Sequence, residues 1–122
     1  SYGSNAGPIE LEVSVGEVTL DIEQAIPCGL IINELVSNSL KHAFPDGREG
    51  RVWVRFGLAP EGPYTLVVGD DGVSLPEALD FRRTQSLGLR LVNTLVDQLE
   101  GTIDLENSAG TVFTITFTLP QV

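Results

Sequence analysis

The chain has almost nothing with which to crosslink itself. One cysteine among 122 residues excludes an internal disulfide. Cys28 falls among apolar neighbours at helical spacing, so it reads as a buried thiol rather than a nucleophile, and the compartment is expected to be reducing. Basic residues are scarce too: seven Lys and Arg against seventeen Asp and Glu leave a net charge of −10. Nucleic-acid surfaces lean on clustered Lys and Arg, so no nucleic-acid partner is expected. An anionic ligand must instead find a local positive site; Arg82, Arg83 and Arg90 share one short window, and Lys41 lies apart from them. Salt screens the acidic background beyond about 8 Å. No apolar run approaches the roughly 20 residues of a membrane span. No secretion signal is visible at the start. No membrane contact by this chain is expected, and its expected location is cytoplasmic. Histidine occurs once, at His42.

What is present is ordinary for a globular domain: 42% apolar and 20% charged residues. The length suits one domain, expected to span residues 1–122. Ile9 to Val15 alternates strictly and predicts a half-buried strand, with Glu17 to Leu20 as a short second strand. Asp21 is placed as a helix N-cap, with Gln24 completing a capping box. Pro27 predicts a kink before the main helix, which runs to His42. Pro45-Asp46-Gly47 reads as a turn. Val52, Val54, Phe56 and Leu58 alternate with Arg51, Trp53 and Arg55 in the next strand. Tyr64 to Gly69 is more uniformly apolar and therefore more central. Asp70 to Gln85 reads as a loop with one short helical turn near Glu77–Phe81. Ser86 to Glu100 reads as a helix, with Gly101 as its stop. Thr102 to Glu106 and Thr111 to Leu119 read as a strand pair. Alternation along these strands implies a two-layer α/β sandwich. Its mixed, mostly antiparallel sheet carries helices on one face and solvent on the other.

The first helix carries chemistry on one side. Glu34, Ser37, Asn38, Lys41 and His42 fall within an arc of about 140° at 100° per residue. Cys28, Ile32, Leu35, Val36 and Leu40 occupy the opposite arc and can pack on a core. A carboxylate beside an amide oxygen suits Mg²⁺, which is usually held by few protein groups plus phosphates and water. Asp70-Asp71-Gly72-Val73-Ser74 follows directly on a strand. A carboxylate there can accept a hydrogen bond from a buried amine such as that of adenine, although Asp-Gly is also common turn chemistry. Ser86-Leu87-Gly88-Leu89 opens the second helix, where free backbone amides can meet a phosphate. Gly110-Thr111-Val112-Phe113 leads into the last strand.

In this order and spacing the four motifs resemble the Bergerat-type ATP-binding fold of sensor histidine kinases, gyrase-type ATPases, Hsp90 and MutL. Glu34 to His42 resembles the N box, Asp70 to Ser74 the first glycine box, and Ser86 to Val92 the second. Gly110 to Phe113 resembles the glycine-threonine start of the late strand. The wording is most similar to histidine kinases with a short lid. The resemblance spans Ile9 to Leu119 and implies ATP and Mg²⁺ as ligands. It implies that Asn38 holds Mg²⁺, that Glu34 polarises the incoming histidine, and that Lys41 and His42 face the phosphates. Asp70 would accept the adenine amine, and Gly72 would permit close approach to the base. Ser74, Ser86, Leu87, Gly88, Leu89 and Thr111 would border the nucleotide, with Arg82 and Arg83 able to reach its phosphates.

Two features depart from the family pattern. Ser74 stands where the first box has its second glycine. Only 11 residues, Leu75 to Gln85, separate that box from Ser86. The sole histidine lies inside the N box, so the phosphoacceptor is expected on a separate dimerising helical hairpin before Ser1, with a response regulator downstream. The reading favoured by the resemblance is a protein-histidine kinase catalytic domain. The alternatives are a non-catalytic nucleotide-sensing or protein-binding module, which Ser74 favours, and an anti-sigma serine kinase of the same fold.

Overall fold

The computed structural model describes residues 8–60, 62–75 and 86–118. The elements follow as β1 (Ile9–Val15), α1 (Ile22–His42), a one-turn 3-10 segment (Pro45–Gly47), β2 (Gly50–Leu58) and β3 (Tyr64–Asp70). They continue with α2 (Leu87–Gln98), β4 (Thr102–Glu106) and β5 (Thr111–Phe117). The five strands form one sheet in the order β1-β2-β3-β5-β4. β1 runs parallel to β2 and every other pairing is antiparallel. Both helices lie on one face, so the expected two-layer, mostly antiparallel sandwich is what the chain adopts.

Period-two alternation decides which side chains face the helices. Val52, Val54 and Phe56 of β2, Leu66 and Val68 of β3, and Phe113, Ile115 and Phe117 of β5 are all buried. They meet Cys28, Ile31, Leu35 and Val36 of α1 and Leu89, Val92, Leu95 and Val96 of α2 in one core. Burying one such side chain is worth about 1.5–3 kcal/mol. At one end of the sheet Tyr64 and Phe117 stack at 5.1 Å, with Phe56 tilted against both. The opposite end of β3 is Asp70, which shares the face of Leu66 and Val68 and is 2% exposed. β3 is the third of five strands, as its uniform apolarity predicts.

Several local expectations are corrected. Pro27 does not break α1, which runs unbroken through it for 21 residues. The ring is buried, and the loss is confined to one amide donor, the one that would have met the Glu23 carbonyl. Asp21 is the N-cap, but its side chain caps nothing. Its main-chain carbonyl instead accepts from the Gln24 and Ala25 amides. No capping box forms; the Gln24 Oε1 is buried without a hydrogen-bond partner. Glu17 to Leu20 is not a strand; the Tyr64 hydroxyl donates to the Thr19 carbonyl at 3.1 Å and holds that segment. β1 is mostly exposed rather than half-buried. Its Leu11, Val13 and Val15 share the face of Val52, Val54 and Phe56, yet all three are exposed at this sheet edge. Ser37, placed on the polar arc, is buried at 9% exposure, and Ile31 joins Leu35 and Val36 on the packed side. The turn near Glu77–Phe81 and the strand end at Leu119 lie outside the described residues.

α2 ends one step earlier than its glycine suggests. Leu99 is the C-cap, the Glu100 amide donates to Asp97 O, and the Gly101 amide donates to Val96 O. This is a Schellman ending with the left-handed position held by Glu100 at φ 55. A residue with a Cβ is penalised there by about 1–2 kcal/mol. Replacing it should relieve that: Glu100→Gly is expected to stabilise the fold by about 0.5–1 kcal/mol, after the entropy cost of glycine. The check is a rise in thermal midpoint without a change in circular dichroism.

Candidate functional site: a carboxylate-headed cleft between α1 and α2

β3 delivers a carboxylate to a position where its alternation would otherwise place a core residue. The Asp70 Oδ1 accepts from the Gly72 amide at 3.0 Å, an Asx-type turn two residues long. The Oδ2 accepts from the Ser39 hydroxyl at 2.7 Å, across 31 residues of chain. The Thr111 main chain, the register partner of Asp70 on β5, supplies a further hydrogen bond. Burial nonetheless raises the Asp70 pKa above its ordinary 3.8, and Asp71 adds to the rise; the bonds from Ser39, Gly72 and Thr111 lower it in part. A carboxylate offers about four acceptor positions. Three are used by donors among the described residues, and Asp70 lines a cavity of about 390 Å³.

The cavity wall brings together residues far apart in sequence. Asn38, Ser39 and His42 come from α1, Ser74 from the segment after β3, Ser86 and Leu89 from the start of α2, and Thr111 from β5. Apolar walls come from Leu35, Ala43, Val73, Leu75 and Phe113. Of the residues singled out in the sequence, Asn38, His42, Asp70, Ser74, Ser86, Leu89 and Thr111 line this space. Glu34, Lys41, Gly72, Leu87 and Gly88 do not. Lys41 is exposed near the end of α1 and Leu87 is 80% exposed at the start of α2. Arg82 and Arg83 lie outside the described residues.

Glu34 is still part of the same construction. A Cβ on Gly88 would lie 2.8 Å from the Glu34 Oε2 and 3.5 Å from the Asn38 Nδ2. The carboxylate and the amide, one helical turn apart on α1, therefore both lie against the first turn of α2. Ser86 is its N-cap, and the hydroxyl accepts from the Leu89 amide at 3.5 Å. Gly88 leaves room for the Glu34 carboxylate here, and its backbone is not at positive φ. Gly72 packs against Ala43 at the end of α1, so its closest approach is to the protein itself. The amide of Val73 donates to the Ala43 carbonyl at 2.8 Å.

Ser74 has an occupation that the sequence did not reveal. Its hydroxyl donates to the Gly110 carbonyl at 3.0 Å and accepts from the Gly110 amide at 3.1 Å. Gly110 has φ +92 and presses against the Asp70 carbonyl, so the turn requires glycine there. One residue on, Asn107 clamps Leu75 from both sides: its Oδ1 accepts from the Leu75 amide and its Nδ2 donates to the Leu75 carbonyl. Ser74 is not among the residues at positive φ, so it carries none of the strain a replaced glycine would imply. Asn107, Ser39 and the apolar wall were not identified from sequence. For Ser39 a signal existed: at 100° per residue it falls between Cys28 and Ile32 on the apolar arc, where a hydroxyl needs a partner.

Two expectations follow from this geometry. Ser74→Gly removes both bonds to Gly110 and adds freedom to the unfolded chain. It should destabilise the fold by about 1–2 kcal/mol in urea titration and speed amide exchange at Gly110. Asp70 binds its proton more tightly folded than unfolded, so its ionisation costs stability. That loss develops as pH rises from 3.8 through the raised folded value. Asp70→Asn is isosteric and can still accept from Gly72. Its stability at pH 7 should equal or exceed that of the parent chain, and this step should vanish from the pH profile of unfolding.

Known proteins share this fold. Residues 23–121 match the family model of histidine kinase-, DNA gyrase B- and HSP90-like ATPases. Over 116 residues the chain is 32% identical to Blue-light-activated histidine kinase 2 of Erythrobacter litoralis, covering 94% of this chain and 34% of that protein. It is 36% identical over 97 residues to the sensor histidine kinase PdtaS of Mycobacterium tuberculosis, covering 77% of this chain and 19% of that one. The solved histidine kinase domain of the E. litoralis EL346 blue-light-activated kinase superposes with a TM-score of 0.87 at 32% identity, over 93% of this chain and 52% of that chain. The chain thus spans about a third or less of the length of these curated relatives. It belongs to the family of histidine kinase-, DNA gyrase B- and HSP90-like ATPases, with sensor histidine kinases among its relatives.

Proposed function

We propose that this chain is one catalytic domain that binds Mg-ATP and transfers the γ-phosphoryl group to a histidine. That histidine sits on a dimerisation domain of the same receptor, in the cytoplasm and upstream of a response regulator. The observation that carries the reading is Asp70. It is a buried carboxylate with one acceptor position left, at the wall of a cavity that Asn38, His42 and Ser86 also line. An exocyclic amine of adenine needs one such acceptor, and the apolar walls from Leu35, Val73 and Phe113 suit a flat base.

The phosphates would lie toward the start of α2, where an anion could meet the amides of Leu87 and Gly88, the Leu89 amide being capped by Ser86. Among the described residues no three carboxylate, imidazole or thiolate groups cluster as a metal cage. A Mg²⁺ site made of the Asn38 oxygen, phosphates and water fits that donor set. When bound, the ion would offset charge on the transferring phosphoryl group. Glu34, which lies against Gly88 beside Asn38, would orient and polarise the incoming imidazole. Lys41 would bring positive charge, and His42 a hydrogen-bonding ring, near the end of α1, in a chain otherwise dominated by acids. Phosphoryl transfer depends on positioning and electrostatics more than on covalent chemistry. The non-catalytic alternative loses its main support, since Ser74 is occupied in anchoring the Gly110 turn.

The test is transfer of labelled phosphate. Incubated with labelled ATP and Mg²⁺, the chain alone should stay unlabelled, and label should appear on an added histidine-bearing acceptor hairpin. Acid-labile phosphate on His42, or ATP binding with no transfer to any such hairpin, would overturn the kinase reading. Among variants, Glu34→Ala should bind ATP within about 3-fold of the parent and slow transfer at least about 100-fold. Asn38→Ala should chiefly weaken Mg²⁺-dependent binding, read by calorimetry with and without the metal.

A further inference from the structure

We infer that Ser39 is a positioning residue for base choice: its hydroxyl orients the Asp70 carboxylate so that the site selects purines bearing a 6-amino group. The inference rests on the ATP-binding reading above and deepens it. Ser39 follows Asn38 on α1 and lines the cavity beside Asp70. Its hydroxyl donates to the Asp70 Oδ2 at 2.7 Å, while the Gly72 amide holds the Oδ1 at 3.0 Å. Two donors from two different elements, one on each oxygen, fix the plane of the carboxylate. The Thr111 main chain adds a third bond; without Ser39 the bond from α1 to the Oδ2 is lost, and the group can pivot further about its terminal torsion, which is broad for Asp.

Helix formation does not call for this hydroxyl. Serine is a poorer helix residue than alanine because it competes for backbone hydrogen bonds. In α1 the Ser39 proton goes to Asp70 across the fold, not to the helix.

The direction of that proton sets the selectivity. A serine hydroxyl has one donor and two acceptor positions. Once its proton is committed to Asp70, both Ser39 and Asp70 present only acceptors to the cavity. An incoming 6-amino group finds a partner there. A 6-oxo group, as in guanine or hypoxanthine, meets lone pairs and has no donor to accept from. An unbound serine would rotate and donate to it. Leaving buried polar groups unpaired is an effective basis for rejection. Ser39 thus acts through Asp70 and is distinct from the residues that handle phosphate.

The test compares three nucleotides by calorimetry, each with Mg²⁺: ATP, inosine triphosphate, which is 6-oxo, and purine riboside triphosphate, which has hydrogen at position 6. The parent chain should prefer ATP over both analogues. In Ser39→Ala the Kd for ATP should rise about 5–10-fold, corresponding to one hydrogen bond. The Kd for purine riboside triphosphate should change less than about 2-fold, and discrimination against inosine triphosphate should shrink. Ser39→Thr keeps the hydroxyl and should keep the ranking of the three. An equal loss for all three nucleotides in Ser39→Ala would mark a merely structural role and overturn the inference. So would unchanged ATP affinity, or loss of the ranking in Ser39→Thr. A parent chain that binds no nucleotide would refute the ATP reading itself, and is distinguished from those outcomes because it appears before any substitution.

Discussion

A carboxylate in the position of a core residue is the constraint around which the rest of the site is arranged. Asp70 ends the central strand on its buried face, where desolvation works against its charge. The fold answers with hydrogen bonds from three separate places: the turn that follows, the N-box helix and the neighbouring strand. Only the turn donor is local to the strand that carries the acid; the other two come from α1 and β5. The acid is therefore only tolerable if α1, β3 and β5 are all in place together. Asp70 also lines the cavity, where a ligand with one amine would supply a further donor.

The loop after β3 is held by a second set of contacts on the far side of the same strand pair. Ser74 grips Gly110 through both its donor and acceptor, and Asn107 clamps Leu75 in the same bidentate way. These contacts tie the beginning of the loop to the β4–β5 turn, and they place Thr111 beside Asp70. The first and last motifs are thus one structure rather than two. At the other side of the cavity, Gly88 lets α2 start against Glu34 and Asn38, so the N box and second glycine box also meet. The cleft is the seam between these two pairings.

Much of this was legible in the chain. The alternation of Val52, Val54 and Phe56, the spacing of Glu34, Asn38 and His42, and the order of the four motifs all survive in the structure, whereas Asp70, read as the start of a loop, is the last residue of β3. What was misread depends on competition. Pro27 was expected to kink α1, but the core holds the helix together across one lost bond. Glu17 to Leu20 has strand-like residues, yet Tyr64 takes its carbonyl at Thr19 instead. The capping box had the right residues, but the Asp21 main chain took the amide. In each case a tertiary or backbone partner outcompeted the local preference.

Ser74 and Ser39 mark the division most clearly. By sequence, Ser74 was a glycine missing from a motif and Ser39 a small residue beside a functional one. Their partners lie 36 and 31 residues away, beyond anything that periodicity or spacing can relate. The sequence by itself determined the strand and helix faces, the sheet class and the set of residues that could serve a nucleotide, because these follow from periods of 2 and 3.6 and from motif order. Only the tertiary structure decided which of those residues converge and which donors hold Asp70. It also decided that Ser74 is an anchor rather than a defect, because hydrogen bonds between distant elements exist only once the sheet has brought their ends within about 3 Å.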